Sequence, residues 1–268
     1  MSLTMLDVRC RYGRREVLKG VSFCLNKGEV VFILGQNGAG KTTLFKCMLG
    51  LITGYGGSVL YDGQEVRRFS PGQLASKVAY IPQAHQPQFN YSVLEVVLMG
   101  LASSIGIFSV PSSAQRLKAE QLLEKIGIPH LKNRGYANLS GGERQMVLIA
   151  RALMQGAEIL LMDEPVASLD YGNQQRILSM AAALAKEGYA VAVTSHHPEH
   201  AFLYAGRVLV LEKGRVAAQG EPGAVLTEEL LCRIYDMPIR LLVFRLDHKE
   251  VRICVPVDQG MLGGWTGA

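Results

Sequence analysis

The sequence predicts an α/β fold with a core of buried parallel strands, an antiparallel β subdomain and an inserted helical subdomain. Three observations carry the prediction. Short apolar runs at Val30–Leu34, Val78–Ile81, Ile159–Met162 and Ala190–Thr194 are bounded by Gly, Pro or polar residues, as strands covered on both faces are. Residues 92–155, between the second and third runs, read as mostly helical. A Gly-rich turn joins the first run to a helix.

Taken in order, Leu3–Val8, Val21–Leu25 and Ser58–Tyr61 alternate like half-buried antiparallel strands and are joined by turn residues. Val30–Leu34 precedes the Gly-rich turn, and Thr42–Leu49 follows it as a helix. Ser113–Ile126 starts at serines, carries Leu117, Leu122, Leu123 and Ile126, and stops at Gly127. Met146–Met154 is an apolar helix. Asp170 is placed to cap Tyr171–Glu187, which stops at Gly188. Lys213–Gly214 reads as the turn of a hairpin between Arg207–Leu211 and Arg215–Ala218. From about residue 226 the chain adds a helix and two strand-like runs, Arg240–Leu246 and Val251–Val257. It closes on Gly-rich residues expected to be mobile.

Composition narrows the class. The 268 residues are 49% apolar and 19% charged, with a mean hydropathy of +0.16. A soluble domain averages about 25% charged, so the chain is too apolar to be disordered. It is also rather apolar for a solitary cytosolic enzyme. The longest uncharged stretch, Val96–Gln115, holds five serines, two glycines and Pro111, which argues against a membrane span. Met1–Arg9 alternates like a strand, unlike a secretory leader. A cytoplasmic protein with apolar surface meant for a partner is expected. Net charge is +5. Arg9, Arg11, Arg14, Arg15, Lys19 and Lys27 face only Asp7 and Glu16 at the start of the chain, which suits either a phosphate-rich ligand or a solvated face. The five scattered cysteines contain no CxxC pair, so reduced thiols are expected rather than zinc or disulfides.

The turn itself, Gly35-Gln36-Asn37-Gly38-Ala39-Gly40-Lys41-Thr42-Thr43, is GxxxxGK[ST], a P-loop, with a strand before it and a helix after it. Its glycines let backbone N–H groups converge on phosphate oxygens. The helix N-terminus adds partial positive charge and free donors. Lys41 reaches β- and γ-phosphates, and the Thr42 hydroxyl suits Mg²⁺. The apolar strand Ile159–Met162 runs into Asp163 and Glu164. Asp163 would hold Mg²⁺, and Glu164 would orient or deprotonate an attacking water.

Leu139-Ser140-Gly141-Gly142-Glu143, followed by Arg144-Gln145 and an apolar helix, separates this chain from other P-loop enzymes. Ser140 with the Gly141 and Gly142 amides makes a second anion site at a helix start. Together these residues resemble the ATP-binding subunit of an ABC transporter, over roughly residues 2–235. The resemblance implies a RecA-like P-loop core at about 1–85 and 156–225, a helical subdomain at about 86–155, and a C-terminal extension at 236–268. The extension's role is open between the subunit dimer and the pore subunit. The resemblance also implies ATP and Mg²⁺ as ligands. It implies a homodimer in which each ATP lies between the P-loop of one subunit and the signature of the other.

By the same resemblance, Gln83 in Tyr80-Ile81-Pro82-Gln83 is the Q-loop glutamine, touching Mg²⁺ or water. Asp170 in Ser168-Leu169-Asp170 crosses the dimer. His196 after Ser195 is the switch histidine on the γ-phosphate, and Tyr12 stacks on adenine. One departure stands beside the switch, where His197 replaces the family's usual acidic residue. His196, His197 and His200 form HHxxH with Glu199, but Pro198 is expected to begin the helix and leave His196 outside it, which breaks zinc-ligand spacing. His85 and His130 read as loop residues.

Phe89–Gly100 is similar to subunits of importers for metal chelates (iron–siderophore, haem, cobalamin) and for molybdate or tungstate. Tyr91-Ser92-Val93 departs modestly from their run, and Leu101 stands where an Arg is usual. The resemblance implies integral membrane permease subunits, an extracytoplasmic binding protein met indirectly, a place on the cytoplasmic face of the membrane and no nucleic acid partner. The rival readings are a non-transport ABC ATPase of DNA repair or translation and a small-molecule P-loop kinase. The first usually carries two cassettes or a long coiled coil, and the second has no place for Ser140-Gly141-Gly142.

Overall fold

The four apolar runs become neighbouring strands of one sheet. The computed structural model describes residues 1–83, 89–103, 110–247 and 249–257. His85, the middle of Val96–Gln115 and the Gly-rich end lie outside the described residues. The first elements are β1 (Ser2–Tyr12), β2 (Arg15–Asn26), β3 (Val30–Leu34), α1 (Lys41–Met48), β4 (Gly56–Tyr61), β5 (Gln64–Glu65), α2 (Pro71–Ala75) and β6 (Val78–Ile81). Then come α3 (Val93–Leu98), α4 (Ser113–Lys125), α5 (Gly141–Met154), β7 (Ile159–Met162), α6 (Tyr171–Lys186), β8 (Ala190–Ser195) and α7 (Pro198–Tyr204). The chain finishes with β9 (Arg207–Glu212), β10 (Arg215–Gly220), α8 (Pro222–Val225), α9 (Glu228–Tyr235), β11 (Ile239–Leu246) and β12 (Lys249–Pro256).

The main sheet has the order β10-β9-β3-β8-β7-β6. All its neighbours are parallel except β10, which returns antiparallel to β9 through the Lys213–Gly214 turn. Leu34 pairs with Ser195, Val193 with Met162, and Met162 with Ile81. The carboxyl ends of β3, β8, β7 and β6 are therefore level, and the segments that follow them emerge along one edge, the usual place for a ligand in a parallel sheet.

Burial follows from the pleat. Successive side chains of a strand point to opposite faces, and here each face has its own core. Val30, Phe32, Leu34, Leu160, Met162, Val191 and Val193 pack with α5, α6 and the helical segment. Val31, Ile33, Ile159, Leu161, Ala190 and Ala192 pack with α1 and the antiparallel sheet β2-β1-β4-β5. A strand covered on both sides needs apolar residues at every position, which is why these runs do not alternate.

Two details differ from the sequence expectation. β1 runs beyond the expected Leu3–Val8 to Tyr12, which ends the strand opposite Arg15. Leu117 of α4 is exposed, whereas Ala119, Leu123 and Ile126 are buried. Leu117 lies two residues, about 200° of helix rotation, from Ala119 and therefore off the inward stripe. At the end of the described chain, β11 and β12 form an antiparallel pair whose Ile239 and Cys254 join the core. Leu242, Phe244, Leu246 and Ile253 stay at least 40% exposed. Among the described residues no helix is long and apolar enough to cross a membrane.

Candidate active site

The P-loop follows β3 at the centre of the sheet edge. Gly38 takes a left-handed φ of 81°, and a Cβ on Gly35 would lie 2.4 Å from the Leu211 carbonyl. Neither position accepts a side chain without strain. Gly40 caps α1 without a side chain, and the first turn of α1 holds no acidic residue, so its first N–H groups remain available to an anion. Lys41 is buried. Its Nζ donates to the Gly35 carbonyl at 2.7 Å and the Gln36 carbonyl at 3.4 Å. The loop walls a hollow of about 270 Å³ together with Arg15, Val17, Thr42, Thr43 and Glu164. Of the basic residues near the start of the chain, Arg15 thus faces the hollow, while Arg9 and Arg11 pair with Asp7 and Glu16.

The two carboxylates are positioned from neighbouring strands. Asp163 Oδ1 accepts from the Thr194 hydroxyl at 2.7 Å and Oδ2 accepts from the Tyr80 hydroxyl at 3.0 Å. Burial, then the Asp163 carboxylate, push the Tyr80 phenol up, so it remains a donor. Thr194 Oγ1 in turn accepts from the Glu164 N–H at 2.8 Å. Glu164 itself sits at φ 45°, a left-handed conformation that costs a non-glycine residue of order 1 kcal/mol or more and gathers at functional sites. That turn aims its carboxylate across the sheet edge. Oε1 lies 3.4 Å from Lys41 Nζ and Oε2 lies 3.8 Å from His196 Nδ1. The segments after β3, β7 and β8 meet on this one side chain.

Neither Thr194 nor Tyr80 is prominent in the sequence, although Thr194 is the first polar residue after the apolar start of β8. Replacing Thr194 by Val should strand the Glu164 N–H, costing about 1–3 kcal/mol of stability, and should also reduce ATP turnover. Denaturant midpoints and phosphate release measure the two effects. Wild-type values in both would remove Thr194 from this role.

The donors Thr42, Asp163 and Gln83 are a hydroxyl, a carboxylate and an amide, all with oxygen to offer, which is the hard donor set that suits Mg²⁺. Gln83 follows β6 on the same edge. Beside it, the Pro82 carbonyl accepts from Nε2 of Gln145, a fully buried residue of α5. This links the backbone after β6 to α5, a role no sequence motif announces.

His196 leads from β8 into α7, which starts at Pro198 with His197 as its cap. Among the described residues no group of three or more His, Cys, Asp or Glu side chains is placed to hold a metal ion. His130 lies in an exposed short turn. His200 is buried, and burial with its neighbouring histidines pushes its pKa down to about 4. The unfolded chain, with an ordinary value near 6.5, binds that proton first. Stability is therefore expected to fall as pH drops from about 6.5 to 4. His200→Leu should flatten that slope in denaturation curves taken across the range, and an unaltered slope would dismiss His200 as its source.

The remaining candidates lie elsewhere. Ser140 caps α5 in a capping box. Its Oγ accepts from the Glu143 N–H at 3.3 Å, and its own N–H donates to Glu143 Oε2 at 2.7 Å. The Ser140 N–H, and after it the Ser140 hydroxyl, hold the Glu143 carboxyl below the usual range. A Cβ on Gly142 would meet the Asn173 side chain at 2.4 Å, so α5 and α6 start in close contact. Asp170 caps α6, accepting from the Asn173 N–H at 2.9 Å. None of Ser140, Gly141, Gly142, Asp170 or Tyr12 lines the hollow around Lys41. Tyr12 is half exposed at the tip of the β1–β2 hairpin.

Residues 18–167 match the ABC transporter family. The chain is 36% identical to an uncharacterized ABC transporter ATP-binding protein of Haemophilus influenzae, over 92% of this chain and 94% of that one. It is 41% identical to the hemin import ATP-binding protein HmuV of Nocardia farcinica, over 85% and 78% respectively. Among solved structures, a metal-chelate type ABC transporter in an inward-facing conformation superposes with a TM-score of 0.86. That alignment is 30% identical and covers 97% of this chain and 99% of the other.

Proposed function

Since the chain belongs to the ABC transporter family, we propose that it is the ATP-hydrolysing subunit of an importer that carries a metal chelate through a separate membrane permease. The chelate class rests on relatives named for hemin import and iron chelatin transport. The approach of Lys41 and His196 to the two oxygens of Glu164, which walls the hollow together with Lys41, supports the hydrolytic reading more than any other observation.

In this reading the P-loop amides and Lys41 bind the phosphates, and the incoming γ-phosphate takes over from Glu164 as the counter-ion of Lys41. Glu164 orients the attacking water and accepts its proton, and His196 donates to the γ-phosphate. Magnesium, held by Thr42, Asp163 and Gln83, supplies neutralising charge when bound. Residues 1–235 act as the ATPase unit, with 236–268 as an extension. Two copies pair head to tail, so that Ser140, Gly141 and Gly142 of each close over the other's nucleotide and Asp170 crosses between them. The pair works at the cytoplasmic face of the membrane and meets an external binding protein only through the permease.

Lys41→Ala should weaken ATP binding about 10- to 100-fold through loss of a charge-assisted contact. Tyr12→Ala should weaken it by roughly 5- to 150-fold if adenine stacks there. Calorimetric titration reads both, and wild-type affinity in either variant cancels the corresponding contact. The function itself is tested by co-expression with a permease from the same gene cluster and ATP-dependent uptake of labelled haem or iron chelate into vesicles. Co-purification with nucleic acid or ribosomes instead would overturn the importer reading.

A further inference from the structure

The switch histidine does not stand alone. The His196 and His197 rings lie with centroids 4.1 Å apart and tilted by 43°, and the His197 and His200 rings lie 5.1 Å apart at 54°. Three imidazoles thus run in a row from the Glu164 carboxylate into the protein. The inner end is fixed, because His200 is buried within α7. The middle member, His197, is exposed, and its backbone is tied down where its N–H donates to the buried Ser195 hydroxyl at 3.0 Å. His196, at the other end of the row, is the member that faces Glu164, with Nδ1 3.8 Å from Oε2.

We propose that His197 is a positioning residue for His196, a wall that limits the rotamers of the switch imidazole and is itself backed by His200. The inference rests on the reading of His196 as the γ-phosphate switch. It explains why a ring can stand where the family's usual residue is acidic. A carboxylate would hold the switch by charge, whereas His197 holds it by contact.

The electrostatics agree with an uncharged ring at His197. Burial, and then the charge of His196, hold the His197 pKa below its ordinary value, against the opposing pull of Glu199 and Glu164. His200 faces His197 and His196. Tyr235 of α9 and Cys254 of β12 lie against Glu199. At neutral pH His197 is therefore an uncharged aromatic surface beside the switch.

The test uses the full chain assembled with its permease and measures steady-state MgATP turnover against pH. His197→Ala removes the wall. kcat should fall about tenfold while KM for MgATP stays within about twofold, the pattern of a group misplaced at the chemical step. His197→Phe keeps a flat ring and should recover most of the loss. His197→Asp places a carboxylate beside His196 and should move the pH midpoint of kcat upward, because a neighbouring negative charge favours the imidazolium. His196→Ala is measured alongside. If it keeps full turnover, the switch reading itself fails. If His196→Ala is impaired but His197→Ala keeps wild-type kcat, or Phe is no better than Ala, the positioning role is overturned and the switch reading survives.

Discussion

Glu164→Gln is expected to cut ATP turnover by about a thousandfold, within the 10²–10⁴ range of a lost general base, while ATP binding persists. The substitution keeps the side chain's length and leaves the backbone alone, so the Glu164 N–H still reaches Thr194. It removes the negative charge that faces both Lys41 and His196. Losing that carboxylate also leaves Lys41 without its counter-ion, which favours an incoming phosphate, so affinity should hold or rise. Bound but unhydrolysed nucleotide should then keep two subunits closed. Single-turnover kinetics, ATP titration and gel filtration with MgATP read these effects separately. Wild-type turnover would reject Glu164 as the base. Reduced turnover with lost binding would point to a collapsed loop instead.

The fold was legible because its core strands are covered on both faces. Val30–Leu34, Ile159–Met162 and Ala190–Val193 had to be apolar throughout, and that pattern fits few other structures. The P-loop was legible because phosphate chemistry demands glycines and a lysine at fixed spacing. What could not be read was the support beneath these groups. Thr194 is one hydroxyl in a β-branched strand, and nothing in its neighbours says that it will hold Asp163 with one bond and Glu164 with another. Tyr80 reads as ordinary strand, yet its hydroxyl crosses to β7. The left-handed turn at Glu164 has no glycine to announce it. The histidine row was visible only as HHxxH, a spacing that Pro198 spoils for zinc and that says nothing of ring contacts. With His197 at the cap of α7, the three rings lie close to one another at tilts of 43° and 54°. Each of these depends on which strands become neighbours, and strand order is a property of the whole chain.

Ser140→Arg is expected to reduce hydrolysis at least about a hundredfold, the scale of a lost transition-state anion contact, without weakening ATP binding to one subunit. α1 packs into the core on one face of the sheet and α5 into the core on the other. The hollow around Lys41 takes no wall from Ser140, Gly141 or Gly142. In the proposed head-to-tail pair, a nucleotide bound to one chain's P-loop meets these residues from the second chain. Ser140 is an exposed cap, and replacing it should cost the helix about 1 kcal/mol, too little to unfold a helix whose apolar side is buried from Met146 to Met154. Mixing gives the sharper result. In a heterodimer of Ser140→Arg with Lys41→Ala, one site pairs an intact P-loop with an intact signature, and the other is doubly broken. Random pairing should thus restore up to about a quarter of wild-type turnover from two inactive proteins. If each chain instead completed its own site, the mixture would stay inactive, and the head-to-tail pair would have to be abandoned.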